Sequence, residues 1–119
     1  MNNPQHINLG SLREMARGDN RFIEKMLLAF SENTPGLLDT LVASVAENRP
    51  ETIAATAHRM QPGFHYVGRS DISELLHTLE HKTNGLSADE LHRISREIRS
   101  QAELIFADVR QALKELRSE

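Results

Sequence analysis

Apolar residues recur every three or four positions along almost the whole chain, and they never alternate strictly with polar residues. This spacing is the period of a helix that buries one face. The longest stripe comprises Leu91, Ile94, Ile98, Ala102, Ile105, Val109, Ala112, Leu113 and Leu116. The chain has only five aromatic residues, four Phe and one Tyr, against many Leu, Ile, Ala and Glu, and this balance favours helices over strands. We therefore predict an all-α fold.

Clusters of Gly, Pro and Asn divide the apolar stripes into five helical segments. The predicted helices cover residues about 9–17, 19–48, 50–67, 70–83 and 88–117. Three of them carry a recognisable start signal, namely an N-cap at Asp19, a proline at the first position at Pro50, and a capping box formed by Ser87 and Glu90. The sequence thus predicts where helices begin in both halves of the chain.

Short connections between helices make neighbouring helices run antiparallel. We expect one domain over residues 1–119, an antiparallel four-helix bundle preceded by a short N-terminal helix. The second helix is expected to continue through Pro35 with a bend, because its apolar stripe resumes beyond that residue. Met15 and Ala16 are expected to point inward from the short first helix.

Charge and composition exclude several classes of function. The 14 Lys and Arg against 17 Asp and Glu leave a net charge of −3, which does not draw the whole molecule to nucleic acid or anionic lipid. The absence of Cys excludes disulfides and thiol catalysis. No apolar run approaches the roughly 18 residues of a membrane span. The last helix carries charged residues of both signs, which is typical of a face exposed to solvent. Its apolar stripe could instead form a coiled-coil dimer, but packing within the bundle explains the stripe more simply.

His58 stands in an unusual segment of the third helix. Ala54 and Ala55 precede it, and Pro62 and Gly63 follow within five positions. Pro62 has no N–H to bond the carbonyl of His58, four residues earlier, and Gly63 has no side chain. A helix face kept so bare beside a histidine favours close approach by the backbone of another protein. The competing interpretation is a half-buried histidine next to a kink without function.

The position of Glu80 adds an independent observation. If the chain turns at residues 68–69, His58 and Glu80 each lie about eleven residues, or about 16 Å at 1.5 Å per residue, from the turn. A carboxylate at the same level of the neighbouring helix can accept Nδ1–H of His58 and leave Nε2 free as a nucleophile. The alternative is that Glu80 is an ordinary surface acid that meets this spacing by chance.

With these residues the chain resembles the histidine-containing phosphotransfer (Hpt) domain family. The resemblance is carried by the segment Ala57-His58-Arg59-Met60-Gln61, by Gly68, by Leu79-Glu80, and upstream by residues 17–23, Phe30 and Pro35. It covers about residues 9–82. It implies a helical bundle whose exposed histidine accepts a phosphoryl group from a receiver-domain aspartate and passes it to another receiver.

The resemblance also implies roles for individual residues. His58 is the phosphorylated residue and Glu80 orients its ring, while the receiver docks on Arg59, Gln61, Pro62, Gly63 and His65. Two positions depart from the commonest family pattern, because Gln61 stands where the family usually has Lys and Pro62 where it usually has Gly. Gln61 offers a dipole but no charge, so Arg59 and His65 are expected to supply part of the attraction for the phosphoryl oxygens.

The resemblance further implies the partners of the chain. These are response-regulator receiver domains and a hybrid sensor histidine kinase, with no nucleic acid and no direct membrane contact. The chain is expected to be a cytoplasmic monomer, tethered to a membrane only as part of a larger sensor kinase. It needs no cofactor of its own, and Mg²⁺ is expected on the receiver. No glycine-rich phosphate loop or P-loop lysine is present, so an autonomous enzyme is not expected.

Two other functions stay open. One is a helical adapter that is never phosphorylated. The other is a metal-binding bundle, since Glu74 and His77 form a Glu-x-x-His pair and His77 and His81 are four residues apart on one helix. Di-metal carboxylate bundles need a second such motif, which the sequence lacks. We therefore interpret His77 and His81 as ordinary exposed residues and predict no metal site; His6 and His92 are interpreted as tail and surface residues.

Overall fold

The computed structural model describes residues 6–118, and within this range all regular structure is helical. Its elements are α1 (Gly10–Ala16), α2 (Asn20–Ala46), α3 (Pro50–Tyr66), α4 (Ser70–Lys82), a 3₁₀ turn (Thr83–Gly85) and α5 (Ala88–Arg117). The prediction of an all-α fold is confirmed. No helix in the described part of the chain is long and apolar enough to span a lipid bilayer.

The predicted start signals lie where the helices begin. Asp19 caps α2, since its Oδ1 accepts a hydrogen bond from the backbone N–H of Arg21 at 3.0 Å. Ser87 and Glu90 form the reciprocal capping box of α5, with both bonds at 3.1 Å. These caps satisfy N–H groups that have no partner inside a helix. The ends of these helices are therefore specified by residues within a few positions of them.

The helices pack around one continuous apolar core. α2 lies against both α3 and α5, α3 lies against α4, and α4 also touches α5. At the centre the ring of Phe30 on α2 meets Phe64 on α3 edge to face, with centroids 5.3 Å apart, and Phe106 on α5 at 5.7 Å. α2 continues through Pro35 without a break, as expected. Because α3 packs against α2 on one side and α4 on the other, one long face of α3 remains exposed to solvent.

The expected inward position of Met15 is wrong. Its side chain is 53% exposed, whereas Leu9, Leu12 and Ala16 are buried. At 3.6 residues per turn, Met15 lies about 120° around the helix from Leu9, while Ala16 lies within about 20° of it. A helix of only seven residues can bury one narrow face, and Met15 falls outside it.

The segment before α1 folds back over the turn between α3 and α4. The backbone N–H of Asn8 donates to the carbonyl of Val67 at 2.8 Å, and Arg69 Nη1 donates to the carbonyl of His6 at 3.0 Å. The N–H of His6 donates to the Asp108 carboxylate on α5 at 2.7 Å. His6, predicted to be a tail residue, is thus held in place by its backbone, which joins the α3–α4 turn to α5.

Gly68 in this turn has no room for a side chain. Its φ is +80°, and a Cβ there would stand 2.3 Å from the carbonyl oxygen of Asn8. The glycine therefore meets two demands at once, a left-handed backbone and a close approach of the N-terminal segment.

Candidate functional site

His58 lies at the centre of the solvent-facing side of α3. Its side chain is 70% exposed. The residues one helical turn away are the small Ala54 and Ala55 on one side and Pro62 on the other, and none of them covers the ring. The alternative of a half-buried histidine therefore does not hold, and the imidazole is open to contact with another molecule.

Glu80 on α4 lies directly across from His58. Its Oε2 is 2.8 Å from His58 Nδ1, and its side chain is only 20% exposed. The predicted position of Glu80 is thus confirmed, because α3 and α4 pack side by side from a turn at residues 67–69. A carboxylate at this distance accepts a hydrogen bond from Nδ1–H, which selects the tautomer whose Nε2 carries a lone pair.

Gln61 holds the other oxygen of the same carboxylate. Its Nε2 donates to Glu80 Oε1 at 2.8 Å and lies 3.4 Å from the carbonyl oxygen of Ala57. The residue is half-buried between α3 and α4. Sequence reasoning assigned Gln61 to the docking surface and did not find this contact, since nothing in the local pattern shows that its amide turns toward the neighbouring helix.

These contacts shift the ionisation of Glu80. The hydrogen bond from Gln61 lowers the pKa of Glu80 below its ordinary value of 4.5, and the nearby imidazoles of His58 and His81 act in the same direction. Partial desolvation opposes them but does not prevail. The carboxylate is therefore ionised at neutral pH and faces His58 as an acceptor.

Three of the residues predicted for docking surround His58 on the surface. Arg59, Pro62 and His65 are all exposed. His65 lies two turns after His58 on the same side of α3, with its Nδ1 3.5 Å from Ser70 Oγ. The guanidinium of Arg59 and the ring of His65 therefore stand on the surface that also presents the His58 imidazole. Their part in docking stays a prediction.

Gly63 has an internal reason to lack a side chain. A Cβ at this position would lie 2.9 Å from Cδ1 of Phe30 on α2. From the sequence, this bare position was attributed to the approach of a partner, but the close contact of α2 with α3 already requires it. Gly63 is half-buried, so the surface it offers a partner is small.

Pro62 does not end α3, which continues to Tyr66. The proline removes one backbone donor from the helix interior. Next to it, Ser73 Oγ on α4 donates to the carbonyl of Gln61 at 3.3 Å. This bond ties α3 to α4 beside the proline, but the carbonyl that loses its helical donor to Pro62 is that of His58, four residues earlier.

A largely apolar surface hollow lies beside this face, between α2 and α3. Its lining includes Met26, Leu37, Arg59, Gly63 and Tyr66. Sequence reasoning placed Met26 and Leu37 in the apolar stripe of α2 but did not identify the hollow, because it depends on how closely α2 approaches α3 at Gly63. Arg59 gives the hollow a positive charge on the side of His58.

One group of side chains in the described region could hold a metal ion. His77, Glu80 and His81 each offer a ligand atom, and these atoms all lie within 4.8 Å of one another. His77 and His81 are exposed, as predicted. The ligand candidates predicted on this helix were Glu74 with His77 and the i, i+4 pair of His77 and His81, whereas the structure groups both histidines with Glu80.

Comparison with known proteins identifies the family. A family model described as Hpt domain matches residues 25–119, a region that contains His58, Gln61 and Glu80. No curated protein and no solved structure matches the chain. Hpt domains are helical phosphocarrier modules of two-component phosphorelays, where they interact with receiver domains and kinases. Since the matched region is well over half of the chain, the chain belongs to the Hpt domain family.

Proposed function

We propose that His58 is the residue that carries the phosphoryl group, accepting it from the aspartyl phosphate of one receiver domain and passing it to the aspartate of another. One observation carries this proposal: His58 is 70% exposed while its Nδ1 lies 2.8 Å from Glu80. The ring is thus open on its Nε2 edge and oriented on its Nδ1 edge.

In the proposed step the lone pair of His58 Nε2 attacks the phosphorus of the aspartyl phosphate. The N–P bond forms as the P–O bond to the aspartate breaks, and the aspartate leaves as a carboxylate with the electron pair of that bond. The proton on Nδ1 stays in place. The ring becomes positively charged, and the ionised Glu80 at 2.8 Å offsets this charge. Transfer to the second receiver reverses the same bonds.

Electrostatic help for the phosphoryl oxygens has to come from groups other than Gln61. The Gln61 amide is engaged by Glu80 at 2.8 Å, so it acts as a positioning residue for the carboxylate. Arg59 and His65 are exposed beside His58 and are the proposed positive contacts, with Pro62 and Gly63 as the close-approach surface. Mg²⁺ is proposed on the receiver, where it would neutralise phosphoryl charge; no cofactor is assigned to this chain.

The finer architecture and partners belong to the same proposal. Helices α2 to α5 are proposed to form an antiparallel four-helix bundle, supported by their short connections and by the contacts of α2 with α3 and α5 and of α3 with α4. The proposed partners are receiver domains and a hybrid sensor kinase, met by the chain as a monomer. We propose that apolar side chains of the receiver bind in the hollow beside Arg59.

Transfer of radiolabel from a phosphorylated receiver tests the role of His58. We expect label on the wild-type chain and on the control variant His92→Gln, which changes a histidine on α5, and no label on His58→Gln. Label that persists on His58→Gln would contradict the assignment of His58 as the phosphorylated residue. Receiver binding without any labelling of the wild-type chain would favour the adapter function instead.

A second experiment tests the orienting role of Glu80. Glu80→Gln keeps an acceptor oxygen but removes the charge, so we expect slower transfer with receiver affinity little changed. Nitrogen NMR of the His58 ring separates this role from a structural one. We expect the Nδ1–H tautomer to dominate in the wild type and a mixture of tautomers in Glu80→Gln; identical tautomer populations in the two proteins would contradict the proposal.

A further inference from the structure

A compact group of metal-ligating side chains stands on the C-terminal half of α4. His77, Glu80 and His81 occupy positions i, i+3 and i+4, which place them on one helix face. The rings of His77 and His81 have centroids 4.3 Å apart, and His81 Nε2 is 3.4 Å from Glu80 Oε1. We propose that these three residues bind a divalent transition-metal cation such as Zn²⁺, and that the bound cation slows phosphotransfer by withdrawing Glu80 from His58.

The distances suit a tetrahedral ion. With bonds of 2.0–2.2 Å to nitrogen and oxygen, neighbouring ligand atoms around Zn²⁺ lie about 3.3 Å apart. The pair of His81 and Glu80 already has this separation, at 3.4 Å. All three ligand atoms lie within 4.8 Å, so closing the site requires movements of about 1.5 Å or less, which rotation of exposed side chains provides. The fourth position faces solvent and is filled by water.

The ligand set selects the class of cation. Two imidazoles and one carboxylate suit Zn²⁺, Cu²⁺ or Ni²⁺, whereas Mg²⁺ takes oxygen ligands in an octahedron. The Mg²⁺ proposed for the receiver therefore does not compete for this group. The group also stands on a rigid support, because the neighbouring Leu76 and Leu79 are fully buried in the core.

Glu80 links this group to the proposed phosphotransfer site. Its Oε1 faces His81 at 3.4 Å and accepts from Gln61 at 2.8 Å, while its Oε2 faces His58. A cation bound at Oε1 replaces the hydrogen bond from Gln61 and draws negative charge away from Oε2. The carboxylate then offsets less of the positive charge that develops on the His58 ring during transfer. This consequence rests on the proposed function, but metal binding itself does not.

Titration calorimetry with zinc chloride, in a buffer that does not bind metal, tests the site on the full chain. We expect one Zn²⁺ per chain, and a loss of affinity of about tenfold or more in His77→Ala and in His81→Ala. The controls His65→Ala and His92→Ala, which change histidines outside the group, are expected to bind as the wild type does, and magnesium chloride is expected to give no binding heat. Zinc affinity that survives both His77→Ala and His81→Ala would overturn the proposed site, as would no zinc binding at all.

The coupling needs a separate measurement. For each protein we compare the rate of phosphoryl transfer from a phosphorylated receiver with and without saturating zinc chloride. We expect zinc to slow the wild type by about fivefold or more and to leave the rate of His77→Ala unchanged at the same zinc concentration. Equal slowing of both proteins would place the effect of zinc on the receiver and overturn the coupling.

Failure of the proposed function and failure of this inference remain distinguishable. If His58 is never phosphorylated, calorimetry still reports the metal site, and nitrogen NMR of the His58 ring reports the coupling. We expect zinc to move the Nδ1 resonance of His58 in the wild type and not in His77→Ala. Zinc binding that leaves this resonance unmoved would contradict the link through Glu80.

Discussion

Replacing Gly68 by Ala tests how the turn between α3 and α4 is held. The added Cβ would stand 2.3 Å from the carbonyl oxygen and 2.7 Å from the Cβ of Asn8. Since one of these atoms belongs to the backbone, the contact is relieved only if the N-terminal segment moves. That segment carries the buried Ile7 and Leu9 and the hydrogen bond from Asn8 to Val67.

Three effects add up in Gly68→Ala. A non-glycine residue at φ +80° costs about 1–2 kcal/mol. Loss of the bond from Asn8 to Val67 costs about 1 kcal/mol. Displacement of the segment also exposes part of Ile7 and Leu9, at about 25 cal/mol per Å² of apolar surface. We expect a total loss of about 3 kcal/mol in the free energy of unfolding, on the order of 10 °C in Tm for a chain of this size.

Thermal and urea unfolding followed by circular dichroism measure this loss, and two other glycines provide matched controls. Gly18 also has a positive φ, at +87°, but nothing lies within 4 Å of an added Cβ, so Gly18→Ala reports backbone strain alone, about 1–2 kcal/mol. Gly36 lies inside α2 with equally open surroundings, so Gly36→Ala is expected to stabilise by up to about 1 kcal/mol. If Gly68→Ala costs no more than Gly18→Ala, the close approach of Asn8 is not what requires glycine at this position.

Three further predictions concern the site and the core. Gln61→Ala removes the main cause of the low pKa of Glu80, so carbon NMR of the carboxyl group is expected to show a higher pKa than in the wild type; an unchanged value would contradict the assigned hydrogen bond. Because the pKa of Glu80 in the folded chain lies below 4.5, its contribution to stability is complete above that pH and is lost as the pH falls through the folded value; urea unfolding at stepwise lower pH is expected to show a smaller acid-dependent loss of stability in Glu80→Gln than in the wild type, and equal losses would contradict this contribution. Ile98→Ala in the core is expected to cost about 2–5 kcal/mol in urea unfolding, against little change for the exposed Leu104→Ala, and similar losses for both would refute the assigned face of α5.

Local chemistry explains why the helices were predictable. The Asp19 cap and the Ser87–Glu90 capping box join groups two or three residues apart, so their hydrogen bonds follow from the sequence alone. The apolar stripe of α5 is buried along most of its length because a long helix keeps one face aligned over many turns. Met15 was misplaced since α1 has only seven residues, too few for the stripe to define its face.

The candidate site was predictable to the extent that it depends on helical rise. His58 and Glu80 meet because each lies about eleven residues, at 1.5 Å per residue, from the same turn. The contact of Gln61 with Glu80 did not follow from that count, since it depends on the rotation of α3 against α4 and on a side-chain rotamer. The grouping of His77 and His81 with Glu80 likewise needed the position of each side chain.

By itself the sequence determined five helices, their caps, and the pairing of one exposed histidine with one carboxylate. Caps depend on hydrogen bonds between residues a few positions apart, and the faces and lengths of the helices depend on the helical period and rise, so all of these can be worked out from the order of residues. Only the tertiary structure decided that Phe30 occupies the space left by Gly63, that Asn8 covers Gly68, and that Gln61 shares Glu80 with His58. These contacts join residues that are distant in the sequence. Their existence depends on how the helices approach and rotate against one another, which close packing of the whole core sets.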